Sequence, residues 1–123
     1  MSYIKRKSVT VTTDASGDGT GYIEGVNGLI NSIEYSKVDF ANGVDFTVTN
    51  NRSGEQIWAE SDVNASAIRR PRAATHSNAG AAALYGTGGT AVLDKIAVSD
   101  DKIKVVVAQG GNAKSGTVII VYE

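Results

Sequence analysis

Alternation with a period of two residues is the feature of this sequence that most constrains its fold. In residues 8–13 and 44–49, apolar side chains at every second position alternate with hydroxyl or carboxylate side chains. Successive side chains of a β-strand point to opposite faces, so this pattern is typical of a strand with one buried face. The same alternation, or a short continuous apolar run, recurs in residues 22–24, 29–35, 56–60, 91–98, 102–108 and 117–122. We therefore predict about eight short strands.

The segments between these strands are rich in turn-forming residues. The chain has 14 glycines and one proline, and Asn-Gly or Gly-rich runs stand at residues 41–43, 50–54 and 109–116. Asn and Gly tolerate the positive φ angles that tight turns between antiparallel strands require. The sequence thus predicts an all-β fold of antiparallel strands, either a β-sandwich or jelly-roll-like structure or a small barrel. Aromatic residues make up only 7% of the chain, so we expect a mainly aliphatic core.

One segment interrupts the strand pattern. Residues 64–89 are rich in Ala, Gly, Asn and Arg, and they include the only proline, Pro71. We treat residues 1–123 as a single β domain in which residues 64–89 form one long irregular loop or arm, because loops of this length are uncommon and typically functional. The alanines within residues 78–85 favour a short helix inside this segment.

Composition bounds the function. The chain has no cysteine, which excludes disulfides, thiolate metal sites and a cysteine nucleophile. A formal net charge of -1 gives no basis for specific nucleic-acid binding or for attraction to an acidic membrane. No apolar run approaches the roughly 20 residues of a membrane span, and none follows the first basic residues as in a secretory signal. We expect no membrane partner and folding in the cytoplasm.

A calcium-loop pattern is incomplete. Asp14, Ser16 and Asp18 place oxygen atoms at alternate positions, as in the first half of a helix-flanked calcium loop. Such a loop ends on a bidentate Glu at its twelfth position, where this chain has Gly25, and Glu24 is one residue short. A solvated turn is the favoured interpretation, and we predict no metal site.

Two catalytic patterns also fail at identifiable positions. A phosphate loop needs a glycine directly before its lysine and a helix after it, but Ala113 precedes Lys114 and a predicted strand follows. His76 is the only histidine, it lies in a polar segment, and no G-x-S-x-G elbow accompanies it. We predict that the chain is not an enzyme, with no catalytic residue and no cofactor.

Residues 69–72, Arg-Arg-Pro-Arg, form the densest polar cluster. Guanidinium groups suit bidentate contacts with carboxylate or phosphate groups. Together with residues 5–7 the cluster suggests a nucleic-acid surface, but the acidic pI of 5.8 and the lack of interleaved aromatic residues argue against it. A solvated loop is a second alternative. We favour an arm that docks on a neighbouring protein subunit and becomes ordered on binding. The predicted contact residues are Lys5, Arg6, Arg69, Arg70, Pro71, Arg72 and His76.

The order of strands and turns along nearly the whole chain carries a resemblance. It runs through residues 9–14, 43–49, 54–58, 64–67, 71–72 and 103–111. This pattern resembles the small virion proteins of tailed bacteriophages that are encoded among the head-morphogenesis genes. The resemblance implies a non-enzymatic structural protein, made in the cytoplasm of the bacterial host and located in the virion.

The resemblance leaves two places in the particle open. One is a capsid decoration or cement protein, which stabilises the head by binding the major capsid protein as a homo-oligomer, with a trimer favoured. The other is a head-to-tail connector or collar protein that contacts portal or neck proteins. A different class, a carbohydrate- or receptor-binding β-module, would use Trp58 and the tyrosines to stack on sugar rings. Trp58 lies within a predicted strand, which favours core packing instead.

Overall fold

The structure, a computed structural model, describes residues 3–123. Within that range it contains nine strands and no helix, and every strand pairing is antiparallel. The strands are β1 (Lys5–Thr12), β2 (Gly19–Lys37), β3 (Asp45–Asn50), β4 (Gln56–Glu60), β5 (Ala67–Arg69), β6 (Arg72–Ala74), β7 (Leu93–Lys95), β8 (Ala97–Ala108) and β9 (Ser115–Tyr122). The predicted all-β class is confirmed.

The strands form two layers that share β2. The hydrogen-bonded path runs β1-β9-β2-β8-β3-β4, with β5 on the remaining edge of β2. One layer holds β1, β9, the second half of β2 and β5, and the other holds the first half of β2 with β8, β3 and β4. The described strands leave this path open, which fits a small β-sandwich rather than the barrel alternative.

The 19-residue strand β2 replaces two strands that the sequence pattern predicts separately. Residues 19–29 pair with β8 in one layer, and residues 30–37 pair with β9 in the other. The two halves of β2 therefore run in opposite directions, one in each layer. Register shifts lie between Ile23 and Gly28. Gly28 has a φ of +134°, and a Cβ atom there would lie 1.9 Å from the carbonyl oxygen of Glu123. Only glycine allows this approach, so Gly28 fixes where the strand passes between layers.

The core lies between the two layers and follows the predicted alternation. In β9, for example, Val118, Ile120 and Tyr122 are buried while the residues between them are only half-buried. One aromatic cluster interrupts the aliphatic packing: the Phe46 ring lies 4.6 Å from Tyr35 and 5.2 Å from Trp58, measured between centroids. Trp58 is buried, which confirms its predicted role in the core.

The predicted helix over residues 78–85 is wrong. Ser77 Oγ accepts hydrogen bonds from the backbone N–H groups of Ala79 and Ala81, and Ser77 N–H donates to the Ala81 carbonyl at 2.8 Å. Gly80 adopts a φ of +82° inside this tight turn. The helix preference of alanine is a few tenths of a kcal/mol per residue, and the local serine and glycine turn overrides it.

The predicted separation between strands at residues 91–98 and 102–108 is also wrong. Strand β8 continues through this stretch as an irregular segment in which Asp100 has a φ of +48°. The Asp101 carboxylate accepts hydrogen bonds from the N–H groups of Arg52 and Lys102. Desolvation, the largest single effect, raises the pKa of Asp101, but these N–H groups and the Arg52 charge together hold it below its ordinary value. Asp101 therefore fastens the β3–β4 turn to β8 rather than reversing the chain.

Candidate functional site: a projecting arm and two charged ends

Residues 70–96 form an arm, which is the most distinctive feature of the surface. Its base is the two-stranded ribbon of β6 and β7, in which Arg72 pairs with Lys95 and Ala74 with Leu93. Beyond the ribbon, Thr75 N–H donates to the Val92 carbonyl at 2.8 Å. The segment predicted as an irregular loop, residues 64–89, thus contains β5, β6 and most of this arm.

The outer part of the arm, residues 76–91, is called the tip. Nearly all of its residues are exposed, and residues 77–92 include no charged side chain. Two apolar side chains stand out from it: Tyr85 is 77% exposed and Leu84 is 46% exposed. The tip therefore has no Lys, Arg, Asp or Glu, and it carries large apolar groups into solvent.

The base of the arm is anchored to the sandwich. Ile30 N–H donates to the Ile96 carbonyl at 3.0 Å, and Lys95 forms an ion pair with Glu123. Arg72 Nη1 donates to the Asn31 carbonyl at 3.2 Å. These contacts hold the base of the arm against the end of the layer at which Ile30 of β2 pairs with Tyr122 of β9.

Arg69 is occupied within the subunit. Its Nε donates to Glu60 Oε1 at 2.8 Å and its Nη2 to Glu60 Oε2 at 2.9 Å, a bidentate pair that joins β5 of one layer to β4 of the other. The hydrogen bond from Arg69 lowers the pKa of Glu60, with a smaller contribution from Trp58 Nε1, which donates to the same carboxylate. Arg69 therefore stabilises the open edge of the sandwich.

The other predicted contact residues differ in availability. Arg70 and His76 are exposed, and neither forms an ion pair with another residue in the range 3–123. Pro71 is buried at the base of the arm. Arg6 donates to Glu34 at 2.7 Å, and Lys5 Nζ lies 5.5 Å from the centroid of the Tyr122 ring.

The fold brings residues 5–7 and the arm base to the same end of one layer. Lys5 pairs with Tyr122 of β9, Tyr122 pairs with Ile30 of β2, and Arg72 reaches the carbonyl of Asn31. Neighbouring strands are about 4.8 Å apart, so β1 lies two spacings, about 10 Å, from β2, and the Arg72 side chain reaches β2 from the arm base. The residues Lys5, Arg6, Lys7, Arg70 and Arg72 are called the basic end.

Four loops meet at the opposite end. Thr13 N–H donates to the Lys114 carbonyl, and Ala41 N–H donates to the Gly110 carbonyl, each at 2.9 Å. Gly43 N–H donates to Asn64 Oδ1 at 2.7 Å. These bonds join residues 13–18, 37–45, 61–66 and 109–114 into one connected surface, called the acidic end.

The acidic end carries a clear excess of carboxylates. It contains five aspartates and two lysines, a net formal charge of −3: Asp14, Asp18, Asp39, Asp45 and Asp62 against Lys37 and Lys114. No ion pair within residues 3–123 involves any of these aspartates. In the sequence these five aspartates form no recognisable group. The aspartates stand at the ends of successive strands, but only the order of the strands shows that these ends lie together.

The Asp14 segment is a closed turn. Asp14 Oδ1 accepts hydrogen bonds from the N–H groups of Ser16, at 2.8 Å, and Asp18, at 3.1 Å. This is an Asx turn, in which the side chain substitutes for a backbone acceptor. Within residues 3–123, no group of three or more His, Cys, Asp or Glu side chains is placed to hold a metal ion.

A shallow groove of about 490 Å³ crosses the outer face of the β1-β9-β2 layer. Ile68 and Ile119 line it, with the Arg6–Glu34 pair at one side. Ile68 is 58% exposed, so the groove is open to solvent rather than enclosed.

Comparison with protein-family models and with curated proteins finds no match to this chain. A search for membrane-spanning helices finds none among residues 3–123.

Proposed function

We propose that this chain is a non-enzymatic structural protein of a tailed-bacteriophage virion, most specifically a capsid decoration or cement protein. In this role a homo-oligomer binds the major capsid protein and stabilises the head. Binding only the assembled shell would shift the equilibrium toward the intact capsid by mass action. The proposal joins the resemblance in strand pattern to one structural observation, the projecting arm.

The arm carries the proposal because the sandwich core is complete without the tip of the arm. The buried core cluster contains no residue of the tip, while Tyr85 and Leu84 are exposed there. Ordering a chain segment costs conformational entropy, and contiguous exposed apolar surface marks interaction sites. Leu84 and Tyr85 are neighbours in the sequence of the tip. A tip of this kind is best explained by a partner that covers it.

The composition of the tip suits docking on a protein. Its Ala and Gly residues allow close backbone approach, and tyrosine is enriched at the buried centres of protein interfaces. The absence of charge from residues 77–92 removes the desolvation cost that burying ionised groups would impose. We therefore place the capsid contact at the tip.

Trimming the arm tests this proposal. Thr75 and Val92 already form a cross-strand hydrogen bond, so replacing residues 76–91 by Asn-Gly should close the β6–β7 ribbon as an ordinary hairpin. We expect the trimmed chain to fold and to stop co-sedimenting with purified heads. Co-sedimentation equal to that of the full chain would contradict the proposal.

A pair of matched variants separates the tip from general surface effects. The double substitution Leu84→Ser with Tyr85→Ser removes two apolar groups from the tip. The double substitution Tyr22→Ser with Leu29→Ser removes two from β2, where the side chains are 41% and 40% exposed. Only the first pair should lower head binding, and equal losses in both would refute a specific role for the tip.

The head-to-tail connector remains a second candidate because the two ends of the molecule differ in charge. Opposite ends favour head-to-tail contacts between copies, and such contacts close into rings of the kind that surround a portal. Copy number separates the two candidates: hundreds per particle fit decoration, and about a dozen or fewer fit a connector. Trp58 is buried, so it cannot serve the sugar-binding alternative.

A further inference from the structure

We propose that copies of this chain associate head to tail, with the basic end of one copy docked on the acidic end of the next. The inference deepens the homo-oligomer part of the proposed function by naming the contacting surfaces. It rests on the charge distribution of the folded chain and does not involve the arm tip.

The net charge of the whole chain conceals how strongly positive and negative side chains are separated. The acidic end has a net formal charge of −3, and the whole chain has −1, so the remainder carries +2. The basic end also contains Lys95 and the carboxylates Glu24, Glu34, Asp94 and Glu123 beside its other basic residues, so the net formal charge of this region is +2.

The distance between the ends keeps their fields separate. Strand β1 begins in the basic end at Lys5 and reaches Thr12, next to the acidic end. At about 3.3 Å per residue this strand spans about 23 Å. The Debye length at physiological ionic strength is about 8 Å, so each end presents its own sign to an approaching molecule.

This arrangement selects the type of contact between copies. A two-fold dimer formed through one end alone would oppose like charges, because it brings the same patch of both copies together. A contact between unlike ends pairs opposite charges instead, and it generates a closed ring when the rotation between copies closes. A cyclic trimer is one such ring.

Two exposed residues are the most direct probes of the contact. Arg70 forms no ion pair within residues 3–123 and stands at the base of the arm. Asp62 lies in the acidic end, where its backbone N–H donates to Asp45 Oδ1 at 3.0 Å and holds the loop in place. Charge reversal at either position changes a docking surface without touching the core.

Self-association of the purified full chain, measured by sedimentation velocity, tests the proposal. We expect association at low salt that weakens about tenfold or more at high salt, since exposed charge contacts are screened. Arg70→Glu and Asp62→Lys should each weaken association by a similar factor. A mixture of the two variants should recover a heterodimer, because the reversed arm base of one then faces the reversed loop end of the other.

Asp100→Lys is the matched control. Like Asp62, Asp100 has a positive φ, 48° against 57°, and its side chain is 95% exposed, but it lies outside the acidic end, and its N–H donates to Asn27 Oδ1 near the bend of β2. Normal association of this control together with recovery in the mixture would support the contact. Unchanged self-association of Arg70→Glu would overturn the proposed contact. So would a result in which this variant binds a short DNA duplex more weakly while its self-association stays the same.

The two proposals fail in distinguishable ways. If the chain stays monomeric at all concentrations but binds heads through its tip, the head-to-tail contact is wrong and the decoration role stands. If the charge variants behave as expected but heads bind neither the full chain nor its oligomer, the contact stands and the decoration role is wrong.

Discussion

At the scale of single residues, alternation predicted which side chains are buried but not which polar groups pair. Val118, Ile120 and Trp58 are buried as their strand positions required. The Arg69–Glu60 pair joins the edge strands of two layers, and its formation depends on both strands ending at the same edge. Nothing in the local sequence specifies that β4 and β5 end at the same edge, so Arg69 was expected to contact a partner rather than its own subunit.

The Glu60 carboxylate gives the fold a defined dependence on pH. Its pKa is lowered from an ordinary value of 4.5, so the unfolded chain binds this proton more readily than the folded chain. The contribution of the pair to stability is therefore complete above pH 4.5 and is lost as pH falls through the lower pKa of the folded state. Both side chains are partly exposed, which keeps the effect small.

We predict that Glu60→Gln lowers the Tm by no more than a few degrees at pH 7 and that this difference shrinks as the pH falls below 4.5. Thermal unfolding followed by circular dichroism across this range measures it. Glu24→Gln, at an exposed β2 position without an ion pair to described residues, removes the same charge as a control. A constant difference between wild type and Glu60→Gln at every pH would contradict the assignment.

At the scale of elements, most strands were predictable and their connections were not. Residues 29–35 and 22–24 were expected as separate strands because glycines and Asn27 stand between them. In the structure the chain continues through these residues as β2, because β8 pairs on one side and the end of β9 on the other. The chain does change direction there, as the glycines indicate, but strand pairing continues through the bend. Elsewhere a serine turn overrides the helix preference of residues 78–85.

We predict that Gly28→Ala destabilises the protein by at least about 3 kcal/mol, because it adds backbone strain to a direct clash. The clash is with the Glu123 carbonyl oxygen, 1.9 Å from the added Cβ. Urea denaturation measures the change.

Gly54→Ala separates the two causes. Gly54 also has a positive φ, +75°, but a Cβ atom there would meet nothing within 4 Å. Gly54→Ala should lower the free energy of unfolding by only about 1–2 kcal/mol, which is the effect of backbone strain alone. Equal losses of unfolding free energy for Gly28→Ala and Gly54→Ala would show that the close approach at the bend of β2 does not affect stability.

At the scale of the whole molecule, the sequence predicted an interruption in the strand pattern and a role for it in association. It did not predict that the interruption is itself β-structured, or that its tip carries no charge while its base is basic. The acidic end was missed entirely, because five aspartates spread over residues 14–62 form a surface only when strand order is known.

The two proposals assign separate tasks to separate surfaces. In them the sandwich is the body, the oppositely charged ends contact other copies, and the tip contacts a larger assembly. Each surface can be altered by substitution without disturbing the core, since none of the probe residues belongs to the buried cluster.

Counting copies in purified particles tests the central claim most directly. Particles assembled with the full chain and with the trimmed chain would be compared by quantitative mass spectrometry, relative to the major capsid protein. We predict hundreds of copies of the full chain per particle and a loss of nearly all of them on trimming the tip. Particles that lack the full chain, or that retain the trimmed chain at the same number, would contradict the account.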